Sequence, residues 1–176
     1  MKDPFQIVDN VVDINDALFN VTHGLYILTV ALDGKLNGQC LDALMQVSNN
    51  PPMIAMGLGK RSLTHEMILK GGAAAVNVID KEDPEWMEKV KLFGFVSGRD
   101  VDKFARFDKY ELSSNGAPLL LDAKAFYEVQ VLKDLIVDVG THNILVAKVT
   151  RAGVSIQGRP LTYNEYREIK MKRRQI

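Results

Sequence analysis

The chain has 176 residues, of which 47% are hydrophobic and 25% are charged. This length and composition indicate one globular domain, over residues 1–176, that can bury a core without disulfides or metal. With 22 basic and 22 acidic residues the formal net charge is zero, which argues against a nucleic-acid partner. No apolar run approaches the roughly 20 residues of a membrane span, and no signal-peptide pattern opens the chain. We therefore expect a cytoplasmic protein without a membrane partner.

The first predicted elements are a short helix and a hairpin. Asp13 can cap a helix over Ile14–Val21, and Leu25–Leu32 has the composition of a strand. Asp33-Gly34 is a typical two-residue hairpin turn. A second strand should therefore begin near Leu36.

A regular alternation of side chains over Gln39–Ser48 predicts one further strand. Its odd positions are apolar and its even positions are mostly polar, so the strand should have one apolar face and one polar face. The odd set is Leu41, Ala43, Met45 and Val47; the even set is Cys40, Asp42, Leu44, Gln46 and Ser48. The polar face can either meet solvent or line a polar ligand, and the residues alone leave both open.

The rest of the chain contains more predicted strands than helices. The strands are Met53–Leu58, Ala73–Ile79, Pro118–Leu121, Ala125–Leu132 and Asn143–Arg151. The helices are Leu63–Lys70, Glu85–Leu92 and Tyr163–Ile176, and a long loop is predicted over Gly94–Phe107. Because the strands follow one another through turns, we predict a mainly β fold, an antiparallel barrel with peripheral helices.

The segment that opens the helix at Leu63 has the features of a phosphate site. A strand ends at Gly59, two cations follow, and Ser62 can cap the helix. Free backbone N–H groups and the positive helix end attract anions, and the hydroxyl of Thr64 is a further donor. An ordinary capped helix with the exposed cations Lys60 and Arg61 has the same sequence, so both interpretations stay open.

The cysteine and histidine content limits the redox and metal chemistry. The single cysteine, Cys40, excludes an internal disulfide, and a lone cysteine is either a small buried apolar residue or a reactive thiol. The three histidines, His23, His65 and His142, lack the spacing of a metal site. We therefore predict no metal.

Four segments taken together resemble the flavin reductase-like family, whose members fold as an FMN-binding split β-barrel. The segments are Asn37–Gln39 with Ser48–Pro52, Lys60–His65, Phe93–Phe104 and Gly140–His142. The resemblance covers roughly residues 15 to 167. It is strongest to flavoredoxin and to the flavin domains that are joined to rubredoxin, although one cysteine cannot supply the four thiolates of a rubredoxin iron site.

The resemblance implies positions for the flavin. Residues implied near the ring and ribityl chain are Asn37, Gly38, Gln39, Cys40, Leu41, Asp42, Ala43 and Gln46. Those implied near the phosphate are Lys60, Ser62 and Thr64.

Two further segments are implied to border the flavin. The Phe93–Phe104 loop contributes Ser97, Arg99 and Lys103, and its cations can meet phosphates, although Asp102 and Lys103 could equally form a surface ion pair. His142 is the one candidate catalytic residue, placed to order a nicotinamide or to give a proton to the reduced ring. A turn histidine bonded to the backbone is the alternative.

Three positions depart from the family pattern: Cys40, Asp42 and Ala43. A carboxylate at Asp42 beside a ring that becomes anionic on reduction would disfavour the reduced form, by roughly 3 kcal/mol at 5 Å and an effective dielectric near 20. Asp42 can therefore point away, be protonated or lower the flavin potential. The sequence does not choose among the three.

The resemblance implies an FMN-dependent oxidoreductase. Such a protein takes hydride from NAD(P)H and passes electrons to a flavin or to a protein acceptor such as rubredoxin. The alternatives are an FMN electron carrier without NAD(P)H activity and a split barrel that binds no flavin. The resemblance also implies a homodimer through one barrel face, with FMN near the subunit boundary.

Overall fold

The fold is described from a computed structural model, which describes residues 4–173 and the side chains of residues 4–171. The strands in this range are β1 Tyr26–Leu32, β2 Lys35–Leu41, β3 Leu44–Asn49, β4 Pro52–Gly59, β5 Ala73–Val78, β6 Tyr110–Leu112, β7 Pro118–Leu120, β8 Ala125–Asp138 and β9 His142–Val154. The helices are α1 Val11–Leu18, α2 Leu63–Gly71, α3 Trp86–Phe95 and α4 Tyr163–Arg173. None of the helices in the described range is long and apolar enough to span a membrane.

A seven-stranded antiparallel sheet, in the order β2-β1-β5-β8-β9-β4-β3, dominates the structure. Strands β6 and β7 form a separate two-stranded sheet. The prediction of a mainly β, antiparallel fold with peripheral helices is confirmed. The predicted hairpin turn is also confirmed, since Asp33 and Gly34 have φ values of 50° and 78° between paired strands β1 and β2.

The sheet closes on itself because its two edge strands are consecutive in the chain. Only Asp42 and Ala43 separate β2 from β3, yet these strands lie at opposite edges of the sheet. A joint of two residues can span only about 10 Å, so the sheet must curl until its edges approach each other. The carbonyl of Ala43 accepts a hydrogen bond from the Gly57 amide at 2.8 Å, which fastens the joint to β4.

The prediction of one strand over Gln39–Ser48 is wrong. The chain leaves β1 as its partner after Leu41 and takes β4 as its partner from Leu44 onward. Both Leu41 and Leu44 contact the barrel core, so the side-chain alternation reverses at the joint. Met45, predicted to share the face of Leu41, is instead 63% exposed.

The barrel interior is filled by apolar residues that lie opposite one another across the strands. Leu44, Met56, Leu145 and Ile136 are successive cross-strand partners and therefore share one face. Met56 and Leu145 are fully buried, and the other two pack against the same cluster.

A second apolar cluster covers the outside of β1 and β2. Helices α3 and α4 and the loop after α3 supply its large side chains. Its members include Ile27, Val90, Phe93, Phe104 and Tyr166. The cluster holds the loop from residue 96 to residue 109 against the barrel.

Several element boundaries differ from the prediction. Helix α1 begins at Val11, because the Asn10 side chain, rather than that of Asp13, caps it by accepting from the Asp13 amide at 3.0 Å. Helix α3 begins one residue late and continues through Gly94 and Phe95, which were assigned to the loop. Strands β8 and β9 extend well beyond their predicted ends, and β6 was not predicted. The predicted tail helix is present as α4, and its last predicted residues, 174–176, lie outside the described residues.

Candidate functional site

A cavity of about 840 Å³ lies where four distant parts of the chain meet. It is bordered by β2, by the residues that open α2, by the end of α3 with its loop, and by the turn before β9. Its wall consists of Asn37, Gln39, Cys40, Gly59, Lys60, Arg61, Ser62, Leu63, Thr64, Phe93, Gly94, Phe95, Val96, Ser97, Gly98, Lys103, Gly140, Thr141 and His142. The volume is within the roughly 300–1,000 Å³ of small-molecule sites.

One end of the cavity carries the features of an anion site. Ser62 caps α2 by accepting a hydrogen bond from the His65 amide at 3.1 Å, as predicted. The amides of Leu63 and Thr64 have no acceptor within the helix, so they are available to a bound anion. Lys60 lies at the same end, where its Nζ is 2.5 Å from Asp138 Oδ1. The hydrogen bond from Lys60 lowers the pKa of Asp138.

A buried hydrogen bond joins β2 to α2 beside this end. Asn37 donates through Nδ2 to Thr64 Oγ1 at 2.9 Å, and both side chains are almost completely buried. The other side of the Asn37 amide lies against Gly98, where an added Cβ would be 2.1 Å from Asn37 Oδ1. The loop after α3 can approach β2 this closely only because residue 98 is glycine.

A buried lysine forms another part of the cavity wall. Lys103 Nζ donates to the carbonyls of Gly38 at 2.7 Å and Phe93 at 3.2 Å, and only 3% of the residue is exposed. The alternative of a surface ion pair with Asp102 is wrong. Asp102 instead accepts from the amides of Phe104 and Ala105, so adjacent residues of this turn face opposite sides.

The polar groups of the cavity suit a planar heterocycle with an anionic tail. Gln39 Oε1 is buried and has no hydrogen-bond partner in the described part of the chain. A ring N–H would satisfy this oxygen, and ring carbonyls could accept from Lys103. The cavity wall contains the cations Lys60, Arg61 and Lys103 and no carboxylate among its described residues. FMN has this combination of ring N–H, ring carbonyls and phosphate, so the residues present fit it.

Most of the residues implied by the resemblance come together at this cavity. The predicted residues on its wall are Asn37, Gln39, Cys40, Lys60, Ser62, Thr64, Ser97, Lys103 and His142. Gly38 does not line it, and its carbonyl is held by Lys103.

The remaining predicted residues lie elsewhere. Leu41 is in the barrel core, and Ala43 lies in the joint between β2 and β3. Gln46 is exposed and donates to Asn49 at 2.8 Å. The exposed Arg99 pairs with Glu66 of α2 at 2.9 Å and does not reach the cavity wall. The side chain of Asp42 is directed toward His23, at 4.0 Å, which corresponds to the first of its three alternatives.

The site list from the sequence omitted several wall residues. Phe93, Phe95 and Gly98 belong to the resembling segments, but no charge or hydroxyl marked them as wall residues. The density of glycine and phenylalanine over Phe93–Phe104 was the available signal, because glycines permit the close approach that aromatic packing needs.

The two histidines near the cavity have different surroundings. His142 is exposed at the rim, where its Nδ1 lies 2.8 Å from Thr141 Oγ1. His65 is only 6% exposed, and its Nε2 lies 2.9 Å from Asn143 Nδ2. Burial lowers the pKa of His65. This contact fixes the start of α2 against β9, next to the Gly140–His142 turn.

An acidic cluster lies outside the cavity. Carboxylates of Asp83, Glu85 and Asp122 are close enough together to hold a cation. The ammonium of Lys89 already occupies this position, since it forms ion pairs with Asp83 and Asp122. The cluster is therefore assigned no metal, and the absence of a metal stays a prediction.

The close contact between Gly98 and Asn37 predicts that substitutions at the two positions affect stability non-additively. Gly98→Ala should lower the free energy of unfolding by about 1–3 kcal/mol, because the new methyl group overlaps the Asn37 amide. Urea unfolding followed by circular dichroism measures this change.

The double variant Asn37→Ala/Gly98→Ala is the matched control. Removing the Asn37 amide makes room for the methyl group, so the double variant should lose less stability than the sum of the single variants, by about 0.5–3 kcal/mol. Additive losses would contradict the close approach seen here.

Cys40 is predicted to be an unreactive thiol. Burial, with a further contribution from the Asp42 charge, raises its pKa to about 12. The thiolate is therefore scarce at pH 8, and iodoacetamide should modify native Cys40 far more slowly than the same residue in urea. Mass spectrometry of timed samples measures both rates. Equal rates, or a rate that levels off below pH 9 or so, would mean a reactive thiol.

The chain is similar in sequence to known flavin proteins and reductases. Residues 18–170 match the model of the flavin reductase like domain. A high molecular weight rubredoxin of Moorella thermoacetica is 40% identical over 88% of this chain, which spans 66% of that protein's length. A ferric-chelate reductase (NAD(P)H) of Archaeoglobus fulgidus is 34% identical over 88% of this chain and 89% of its own.

A solved structure supports the same family assignment. Flavoredoxin from Methanosarcina acetivorans superimposes with a TM-score of 0.72 and 25% identity, over 90% of this chain and 81% of its own. The prediction of a flavin reductase-like split barrel is therefore confirmed. The chain belongs to the family of the flavin reductase like domain.

Proposed function

We propose that the chain is an FMN-dependent oxidoreductase that takes hydride from NAD(P)H and passes electrons to a flavin or protein acceptor. One observation carries the proposal: segments separated by up to about a hundred residues border a single cavity with polar groups suited to FMN. Membership of the flavin reductase like family supports the same assignment.

The wall residues divide by position along the bound cofactor. Lys60, Ser62 and Thr64, with the amides that open α2, would hold the phosphate. Gln39 and Lys103 would meet the polar edge of the ring. FMN, when bound, supplies the capacity to accept hydride and release electrons. The protein's part is to hold the ring and to control access, so it needs no catalytic acid–base pair.

The relatives support the choice of donor and acceptor. The similar protein of Archaeoglobus fulgidus is named a ferric-chelate reductase (NAD(P)H), which favours a nicotinamide donor. The similar protein of Moorella thermoacetica is a high molecular weight rubredoxin, which favours rubredoxin as one acceptor. His142, exposed on the rim, is the residue we propose to contact the nicotinamide.

Likeness to flavoredoxin supports a second candidate function, an FMN electron carrier that does not react with NAD(P)H. In that case electrons would enter and leave through protein partners. The cavity and its FMN would be the same in both candidates, and only the donor would differ.

Anaerobic spectroscopy tests the proposal. Purified protein mixed with FMN should show the absorbance spectrum of bound flavin. Addition of NADH or NADPH should bleach this flavin absorbance promptly. Lys60→Gln should weaken FMN binding by roughly tenfold, because it removes one charged contact from the phosphate end.

The control is an exposed lysine that does not line the cavity, Lys91→Gln, which should leave FMN affinity unchanged. Bound flavin that dithionite bleaches and NAD(P)H does not would favour the electron carrier. Protein that stays colourless after dialysis against FMN would contradict both functions.

We also propose that the protein is a homodimer through the outer face of β3, β4, β9 and β8. Cross-strand pairing places Met45 beside Ala55 and Val146, and Ile144 beside Val137, all on the face away from the core. Met45 and Val137 are more than half exposed. An exposed apolar sheet face of this kind is typical of a protein interface.

The same face leads to the cavity. Gly59 and His142 are cross-strand partners on this outer face, and both lie on the cavity wall. A second copy seated on the face would therefore lie close to the bound flavin, which agrees with the position that the resemblance implies.

Charged substitutions on this face should produce a monomer. Val137→Glu/Ile144→Glu places two carboxylates in the proposed contact, where burial would leave them unpaired. Sedimentation equilibrium should show a dimer for the parent protein and a monomer for the variant. Leu112→Glu, on the separate two-stranded sheet, is the matched control and should stay dimeric. A parent protein that sediments as a monomer would contradict this proposal.

A further inference from the structure

The buried ammonium of Lys103 has only neutral partners. A lysine ammonium has three N–H donors, and two of them are directed to the carbonyls of Gly38 and Phe93. The third has no partner in the described part of the chain. The ring of Phe93 lies 5.7 Å from Nζ and adds a weak cation–π contact.

No carboxylate among the described side chains compensates this charge. None of the ion pairs among the side chains of residues 4–171 includes Lys103. The Cys40 thiol, whose charge would raise the pKa of Lys103, is neutral at ordinary pH because burial raises its own pKa to about 12. Burial also lowers the pKa of Lys103, to about 8. The protein thus maintains an uncompensated cation beside the cavity, which costs stability unless a ligand uses it.

The position of Lys103 separates it from the phosphate site. The phosphate end is formed by Lys60, Ser62 and the start of α2. Lys103 is held instead at Gly38, in the middle of β2, and at the end of α3. The two cations therefore act on different parts of a bound molecule.

We propose that Lys103 makes the cavity bind reduced FMN more tightly than oxidised FMN. This inference rests on the proposed function. A hydride from NAD(P)H delivers two electrons and one proton to the neutral ring, and the donor leaves as NAD(P)⁺. The ring then carries one negative charge, which a buried and unpaired cation attracts far more strongly than it attracts the neutral ring.

The proposal makes Lys103 a determinant of the flavin potential. A lysine that only ties the loop to β2 would affect both redox states of the flavin equally. A lysine that acts through its charge changes the ratio of the dissociation constants of oxidised and reduced FMN, and hence the midpoint potential of the bound flavin. The potential therefore distinguishes the two roles.

The experiment compares parent protein with Lys103→Gln, which keeps one hydrogen bond and removes the charge. Fluorescence titration gives the dissociation constant of oxidised FMN, and a dye-coupled anaerobic titration gives the midpoint potential. We expect the ratio of affinities for reduced and oxidised FMN to fall by at least about tenfold, or about 30 mV for a two-electron couple. Lys103→Arg keeps the charge and should retain most of the ratio.

Lys60→Gln is the matched control, because it removes a lysine from the phosphate end of the same cavity. This variant should weaken the binding of oxidised FMN and of reduced FMN by the same factor, and it should leave the midpoint potential nearly unchanged. A potential in Lys103→Gln that equals that of the parent, or that moves no further than in Lys60→Gln, would overturn the inference. Parent protein that binds FMN in neither state would instead refute the proposed function.

A measurement on the parent protein covers the case in which Lys103→Gln fails to fold. Sulfite adds its lone pair to flavin N5 and leaves a negative charge on the ring without any change in the protein. FMN bound to the parent should therefore take up sulfite more tightly than free FMN does. Equal or weaker sulfite binding would overturn the inference.

Discussion

Strands β2 and β3 are joined by only two residues, and this short connection determines how the sheet can fold. Asp42 and Ala43 connect the opposite edges of a seven-stranded sheet, so the sheet has to close around its core. The closure leaves β2 as an edge strand with one side unpaired. An unpaired edge needs cover, and the loop after α3 supplies it by directing Lys103 to the Gly38 carbonyl. The cavity lies in the gap that this cover leaves.

Local patterns in the sequence predicted most elements but not the joint. The Asp33-Gly34 turn and the Ser62 cap have specific local signals, and both were predicted correctly. The alternation over Gln39–Ser48 continues through two strands without a break in polarity. Only the change of partner strand, from β1 to β4, reverses which face is buried, and that change depends on tertiary contacts. The sequence therefore predicted the strands and misassigned their faces.

The segments that border the candidate site were predicted, but the side chains that reach it were predicted only in part. The resemblance brought together residues on four segments, because related proteins with the same cavity have similar residues at each of its walls. It could not tell which side chains of a segment reach the cavity. Arg99 and Lys103 are both cations of one loop, yet one pairs with Glu66 at the surface and the other is buried. Asp102 accepts from two backbone amides and so fixes the turn that contains Lys103, and a turn of that kind is set by hydrogen bonds rather than by charge.

The electrostatic character of the cavity follows from burial more than from the number of charges. Asp42 and Lys103 are opposite charges that both affect the pKa of Cys40, and neither could be ranked above the other from the residues alone. The Asp42 side chain is 42% exposed and lies beside His23, so water screens its carboxylate. Lys103 is 3% exposed and has no ionic partner among the described side chains, so its field is screened much less. The local potential beside Lys103 is therefore positive, and the position of Asp42 corresponds to the alternative in which its carboxylate points away from a bound ring.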